Sequence, residues 1–194
     1  MAKLYFSYSA MNAGKSTTLL QASHNYRERG MHTMLLTAKL DQRSGDGQIG
    51  SRIGLQSQAF VFEPTTDMKA LIGTEHERQN IDCVLIDEAQ FLTENHVWEL
   101  ADIVDELGIP VMCYGLRTDF QGNMFPGSAR LLAIADNIRE IRTICHCGRK
   151  ATMVVRQDAN GQVILDGDQV EIGGNDKYVS LCRHHWKLAV KKHD

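Results

Sequence analysis

The chain is 194 residues long and 43% apolar, enough for one full domain with an appendage of about 50 residues. It holds no apolar run of about 18 residues to span a membrane, and its N-terminus lacks the basic-then-apolar layout of a signal peptide, so a cytoplasmic protein is expected. The net charge of −3 is uneven, with 11 Lys+Arg against 17 Asp+Glu in residues 1–138 and 10 against 7 in residues 139–194, but the tail's basic excess is too weak and scattered for a nucleic-acid footprint.

In chain order, residues 3–18, KLYFSYSAMNAGKSTT, open as an alternating apolar run, break at small residues and turn helical. That is the pattern of a strand, a phosphate-binding loop and a helix N-terminus. The helix runs over residues 17–29 on Leu19, Leu20, Ala22 and Tyr26 and stops at Gly30. Residues 31–38 read as a buried strand, and residues 41–56, polar with four glycines, as a long loop of the kind that is often functional. A short strand at 58–62 and a helix at 65–73, capped by Thr65 or Thr66, follow. Residues 81–86, IDCVLI, form the continuous apolar run of a central parallel strand and deliver Asp87 and Glu88 to its carboxyl end, where ligands bind in such folds. An amphipathic helix over 93–107 closes at Gly108, and residues 109–114 are the next strand. Residues 115–127 are irregular and carry aromatic residues, 128–135 look helical, and 138–144 give one more strand.

Alternating strands and helices predict an α/β domain over residues 1–144, a P-loop-type parallel sheet flanked by helices. Residues 145–194 then form a second, small unit. Its strands at 151–156 and 162–165 flank Asn160-Gly161, a strong hairpin signal. A 12-residue glycine- and acid-rich loop at 166–177 and a helix at 183–192 complete it.

Three constellations carry chemistry. Against G-x-x-x-x-G-K-[ST] the first stretch matches at Gly14, Lys15 and Ser16, with Ser9 where the first glycine stands. Backbone N–H groups from Ser9, Ala10, Met11, Asn12, Ala13 and Gly14 and the positive end of the helix dipole would hold the phosphates. Lys15 is placed to reach the β- and γ-phosphates and the Ser16 hydroxyl to sit on Mg²⁺. Ser9 raises the question of the backbone at the loop entry, because glycine is favoured where φ is positive.

The second constellation is VLIDEAQF at 84–91, a Walker B layout in which Asp87 meets Mg²⁺ and Glu88 accepts a proton, from water in an ATPase or from a hydroxyl in a kinase. Gln90 is a polar sensor beside the nucleotide or plain loop chemistry. Arg43 and Arg52, in the 41–57 loop, are positioned to fold over the phosphates or to remain solvated. Phe91, Phe120, Phe125 and Tyr178 gather where a planar ligand can stack, with core packing as the alternative.

The third is C-x-C, 34 residues, then C-x-x-H: Cys145, Cys147, Cys182 and His185, a tetrahedral Zn²⁺ set with no open position. A free or redox-active thiol pair is the competing reading, and His146 and His184 are competing ligands. An odd count of five cysteines argues against a disulfide framework, and Cys83 and Cys113, inside apolar runs, read as core.

The ordered stretches SAMNAGKST (9–17), the series Asp41, Arg43, Ile49, Ser51, Arg52 and Gly54, DEAQF (87–91), GLRTDFQGNMF (115–125), ICHCGRKA (144–151) and EIGGNDKYVSLCRHH (171–185) together resemble the type II thymidine kinases over essentially the whole chain. Two positions depart from that family: Ser9 replaces a glycine, and the first metal pair is one residue shorter than C-x-x-C. The resemblance implies a RecA-like nucleotide-binding domain at 1–144 and a zinc-binding domain at 145–194. It makes Glu88 the general base for a thymidine or deoxyuridine 5′-hydroxyl, with ATP and Mg²⁺ held by the phosphate loop and Asp87, and Arg52 on the transferred charge. It makes residues 166–177 a lasso over thymine, tied at its base by structural Zn²⁺, with Gly173, Gly174 and Tyr178 in the lasso motif. Phe91, Phe120 and Phe125 line the nucleoside pocket, and Leu116 and Met11 add apolar walls. It further implies a homotetramer inhibited by thymidine triphosphate. The rival is a RecA-like ATPase with a zinc ribbon acting on nucleic acid, against which stand the missing second motor domain and the lasso-like segment.

Overall fold

A computed structural model describes residues 1–41, 45, 47–171 and 177–191. β1 (Leu4–Ser9), α1 (Lys15–Arg27), β2 (Thr33–Ala38), β3 (Gln48–Gly50), β4 (Gln56–Gln58), β5 (Phe60–Phe62) and α2 (Met68–Arg78) come first. β6 (Cys83–Ile86), a 3₁₀ turn at Ala89–Phe91, α3 (Glu94–Leu107), β7 (Val111–Leu116), α4 (Pro126–Ile134) and β8 (Asn137–Glu140) follow. The main sheet runs β5-β2-β6-β7-β1-β8 with every pairing parallel, so one strand, β7, separates the phosphate-loop strand from the strand that ends at Asp87. That is the parallel sheet flanked by helices expected from the sequence.

Continuous apolar strands are needed because both sheet faces are covered. Val84 and Ile86 of β6 pack with Ile72 of α2, Leu100 and Ile103 of α3 and Leu131 of α4. Cys83 and Leu85, pointing the other way, join Leu19 and Leu20 of α1, Leu35 and Tyr114. Cys83 and Cys113 are fully buried, and burial pushes both thiols up, Cys83 to about 12. They are core residues.

Several boundaries differ from expectation. The 41–56 loop instead forms most of the antiparallel β3–β4 hairpin, whose three-residue strands, with Ile49 the one buried apolar side chain, are too short to announce themselves. α2 starts at Met68 on an Asp67 cap, whose carboxylate accepts the Ala70 N–H at 2.8 Å, while the Thr66 hydroxyl instead accepts the Glu63 N–H. The strand expected at 138–144 divides: β8 lies on the main sheet and β9 (Thr143–Ile144) pairs antiparallel with β10 (Lys150–Ala151). α3 keeps its expected frame, with a Thr93–His96 capping box and Gly108 at its end.

Beyond β10, β11 (Met153–Gln157), β12 (Val163–Ile164) and β13 (Tyr178–Leu181) make an antiparallel sheet in the order β12-β11-β13, followed by α5 (Arg183–Lys191). The Asn160-Gly161 hairpin forms as expected, with Asp158 accepting the Asn160 and Gln162 N–H groups. β13 was not foreseen, since its four residues follow directly on a polar loop.

Candidate active site

The phosphate loop joins β1 to α1. Gly14 caps the helix at φ 79, a left-handed angle that glycine adopts without cost, and Asn12 takes φ 64. Ser9 does not need such an angle. It is the last residue of β1, extended opposite Leu116 of β7, and its hydroxyl accepts a hydrogen bond from Lys15 Nζ at 3.1 Å. Lys15 also reaches the Ala10 carbonyl at 3.3 Å and is buried, so its ammonium is already turned into the loop where an anion would sit.

Across from it, β6 is followed directly by Asp87 and Glu88, both buried. Burial first, and then the adjacent Glu88 carboxylate, push the Asp87 carboxyl up to about 7, while a hydrogen bond from Ser16 and the Lys15 charge pull it the other way. A buried acid pair beside a serine hydroxyl at a phosphate loop is an oxygen donor set that fits a divalent cation. Glu88 stands in a left-handed conformation, φ 53, which turns the chain sharply out of the strand into the 3₁₀ turn.

A cleft opens beside the acid pair. Glu88, Gln90, Phe91, Met11, Leu116, Phe120, Phe125 and Tyr178 are among the residues that line it. Phe91 and Phe125 meet edge to face at 6.1 Å, and Phe120 packs with Val154 and Tyr178. The aromatic residues expected to gather do so, with Phe120 and Phe125 almost wholly buried while still forming the wall. Arg52 sits on the exposed turn at the tip of the β3–β4 hairpin and does not line the cleft. Gly173, Gly174 and Arg43 lie outside the described residues.

Residues that sequence reasoning missed hold the first limb of the 166–177 loop. Arg156 is 3% exposed, a charge inside a strand, and its guanidinium donates to the carbonyls of Asp168 at 2.9 Å and Asp166 at 3.3 Å. It lies 3.9 Å from the centre of the Phe120 ring and 3.5 Å from the Glu171 carboxylate. Asp119, also buried, accepts the Gln121 and Asn123 N–H groups and the Gln169 side-chain amide at 2.9 Å. Tyr178 donates its hydroxyl to the Glu171 carbonyl at 2.7 Å. The one available signal was D-F-Q-G-N at 119–123, which reads as an Asx turn. Arg156 and Gln169 gave none, because a lone polar residue near a hairpin is ordinarily solvated.

The C-terminal sheet is joined to the phosphate loop through the Ser180 hydroxyl, which donates to the Met11 carbonyl at 2.6 Å. Just past Ser180, Cys182 meets Cys145, Cys147 and His185, with ligand atoms all within 4.8 Å of one another. His185 Nδ1 is 3.4 Å from the sulfurs of both Cys145 and Cys182, and the sulfurs of Cys147 and Cys182 are 3.9 Å apart. Edges of that length suit a tetrahedral ion with bonds of about 2.0–2.3 Å. Burial raises the Cys145 thiol, but N–H groups of Cys147 and Cys182 and the His185 ring outweigh it and hold the thiol down to about 6. The donor set fits zinc. His146 stacks on His185 at 4.3 Å, outside the cluster. Among the described residues no helix is long and apolar enough to cross a membrane.

A family model described as thymidine kinase matches residues 2–186. A protein of Agrobacterium fabrum named thymidine kinase is 63% identical over 186 residues, covering 96% of this chain and 96% of that protein. Proteins of the same name from Rhizobium etli and Ruegeria pomeroyi are 66% and 62% identical, covering 96% and 98% of this chain and 94% and 96% of theirs.

Proposed function

The chain belongs to the thymidine kinase family, and from that premise we propose that it transfers the γ-phosphoryl group of ATP to the 5′-hydroxyl of thymidine, and also of deoxyuridine, in cytoplasmic nucleotide salvage. The observation that carries this reading is one cleft whose wall joins Phe91, Phe120, Phe125 and Tyr178 to Glu88 and to Met11 of the loop before α1.

The nucleoside enters between Phe120, Phe125 and Tyr178, and its 5′-hydroxyl faces Glu88. Glu88 takes the hydroxyl proton as the oxygen attacks the γ-phosphorus in line. The loop N–H groups and Lys15 hold the phosphate chain, and Arg52, on the exposed β3–β4 turn, joins them on nucleotide binding. Asp87 and Ser16 would hold Mg²⁺, which when bound would supply positive charge against the charge developing on the phosphates. Residues 1–144 serve as the nucleotide-binding domain. Residues 145–194 serve as the zinc-binding domain with its lasso motif, of which Gly173 and Gly174 lie outside the described residues. A homotetramer restrained by thymidine triphosphate completes the reading.

The deciding assay offers γ-labelled ATP with each of the four deoxynucleosides and with single-stranded DNA. Label on thymidine is the expected result. Phosphate release stimulated by DNA, with no labelled nucleoside, overturns it in favour of an ATPase.

Arg156 gives a narrower test of the nucleoside end. Arg156→Met removes the hydrogen bonds that hold the carbonyls of residues 166 and 168 and the charge over Phe120. Bonds to a charged group are worth about 1.5–3 kcal/mol, so the KM for thymidine is expected to rise roughly tenfold or more while that for ATP stays put. Steady-state kinetics with each substrate varied in turn checks this, and a parallel rise in both constants contradicts it.

A further inference from the structure

We propose that Gln90 is a positioning residue for Glu88, fixing the carboxylate by a hydrogen bond whose direction the backbone of β7 imposes; the inference rests on the reading of Glu88 as general base. Gln90 is 2% exposed and lies two residues after Glu88 in the 3₁₀ turn. Its side-chain oxygen accepts the N–H of Leu116 at 2.9 Å. A backbone N–H only donates, so the amide oxygen must face β7 and the NH₂ must face the other way. There, Nε2 donates to Glu88 Oε2 in a short contact. The amide is therefore not free to flip, and it presents Glu88 with a donor of set direction.

The seat for this amide is built into the strand. At Gly115 a side chain is excluded, because a Cβ would come within 2.9 Å of both the Gln90 nitrogen and its side-chain oxygen. Leu116, whose N–H orients the amide, also walls the cleft. One hydrogen-bonded line thus runs from a wall of the nucleoside slot through Gln90 to the carboxylate. Glu88 needs such a tether, since it stands on left-handed backbone at a sharp turn. Small displacements of a base from its proton are costly to rate, about 10²-fold for 1 Å.

The test is a double-mutant cycle on the full-length enzyme, with kcat and both KM values measured for wild type, Gln90→Met, Glu88→Gln and the double variant. Gln90→Met keeps the side-chain length and removes the donor. It is expected to lower kcat about tenfold or more with both KM values within about threefold, and to change kcat less than about threefold when Glu88 is already Gln. Equal losses in both backgrounds, or a Gln90→Met kcat within about twofold of wild type, overturn the proposal. If Gln90→Met lacks a cooperative melting transition, Gln90→Glu is read in the same cycle. It can still accept from Leu116, but offers Glu88 an acid in place of the amide donor, so it too should lose kcat beside Glu88 and lose little beside Gln. The Glu88→Gln arm alone reports on the underlying reading. Near-normal turnover there removes the base, and with it the role of Gln90, whereas low turnover with additive losses removes only the role of Gln90.

Discussion

Glu88→Gln is expected to bind thymidine and ATP with near-normal affinity and to turn over about 10²-fold or more slowly, the scale that general-base catalysis supplies. The amide matches the carboxylate in shape, so the cleft keeps its form. The phosphate loop is held by β1 and α1, with Lys15 anchored on Ser9 and Ala10, and these contacts do not involve residue 88. What is lost is the ability to take the proton from the attacking hydroxyl. Quench-flow or steady-state turnover beside equilibrium binding of each substrate separates the two effects. Turnover close to wild type would falsify the assignment, and weakened binding of both substrates would show a structural role for the left-handed turn at Glu88.

The second large effect is at the other end of the cleft. Stripping metal from Cys145, Cys147, Cys182 and His185, or changing Cys182→Ser, is expected to weaken thymidine binding roughly tenfold or more, with ATP affinity within about threefold. Cys182 directly follows β13, and Tyr178 at the start of that strand walls the cleft and holds the Glu171 carbonyl. Freeing one end of so short a strand displaces the other. The phosphate loop receives from β13 the Ser180 bond to Met11, but its strand and helix belong to the main sheet. Calorimetric titration of each ligand, with metal content measured on the same samples, checks the split. Equal loss of both affinities points instead to unfolding of the whole chain.

Much of the layout of the candidate site is legible in the sequence, because it is written in short-range patterns. The glycine, lysine and serine of a phosphate loop must be adjacent to meet one phosphate chain, and CVLI at 83–86 must be apolar throughout because both faces of β6 are buried. Three cysteines and a histidine keep recognisable spacing even across 34 intervening residues. Where the reading went astray, the local pattern was weak: the polar β3–β4 hairpin, the four-residue β13, and the Asp67 start of α2 all lack a periodic signature.

Ser9 marks the division most clearly. Sequence by itself determined that a phosphate loop begins near it and that a glycine is replaced there. Only the tertiary structure decided that position 9 does not call for glycine's backbone freedom, since Ser9 is extended opposite Leu116 and the left-handed angles fall on Asn12 and Gly14. Sequence likewise placed Glu88 at a strand end, with Gln90 two residues on. That Gln90 faces a backbone N–H 26 residues away, that Arg156 is buried against Phe120, and that Ser180 reaches Met11 across 169 residues follow from how the sheets are stacked. Such contacts join residues distant in the chain, and no local spacing encodes them; strand order and packing bring them together.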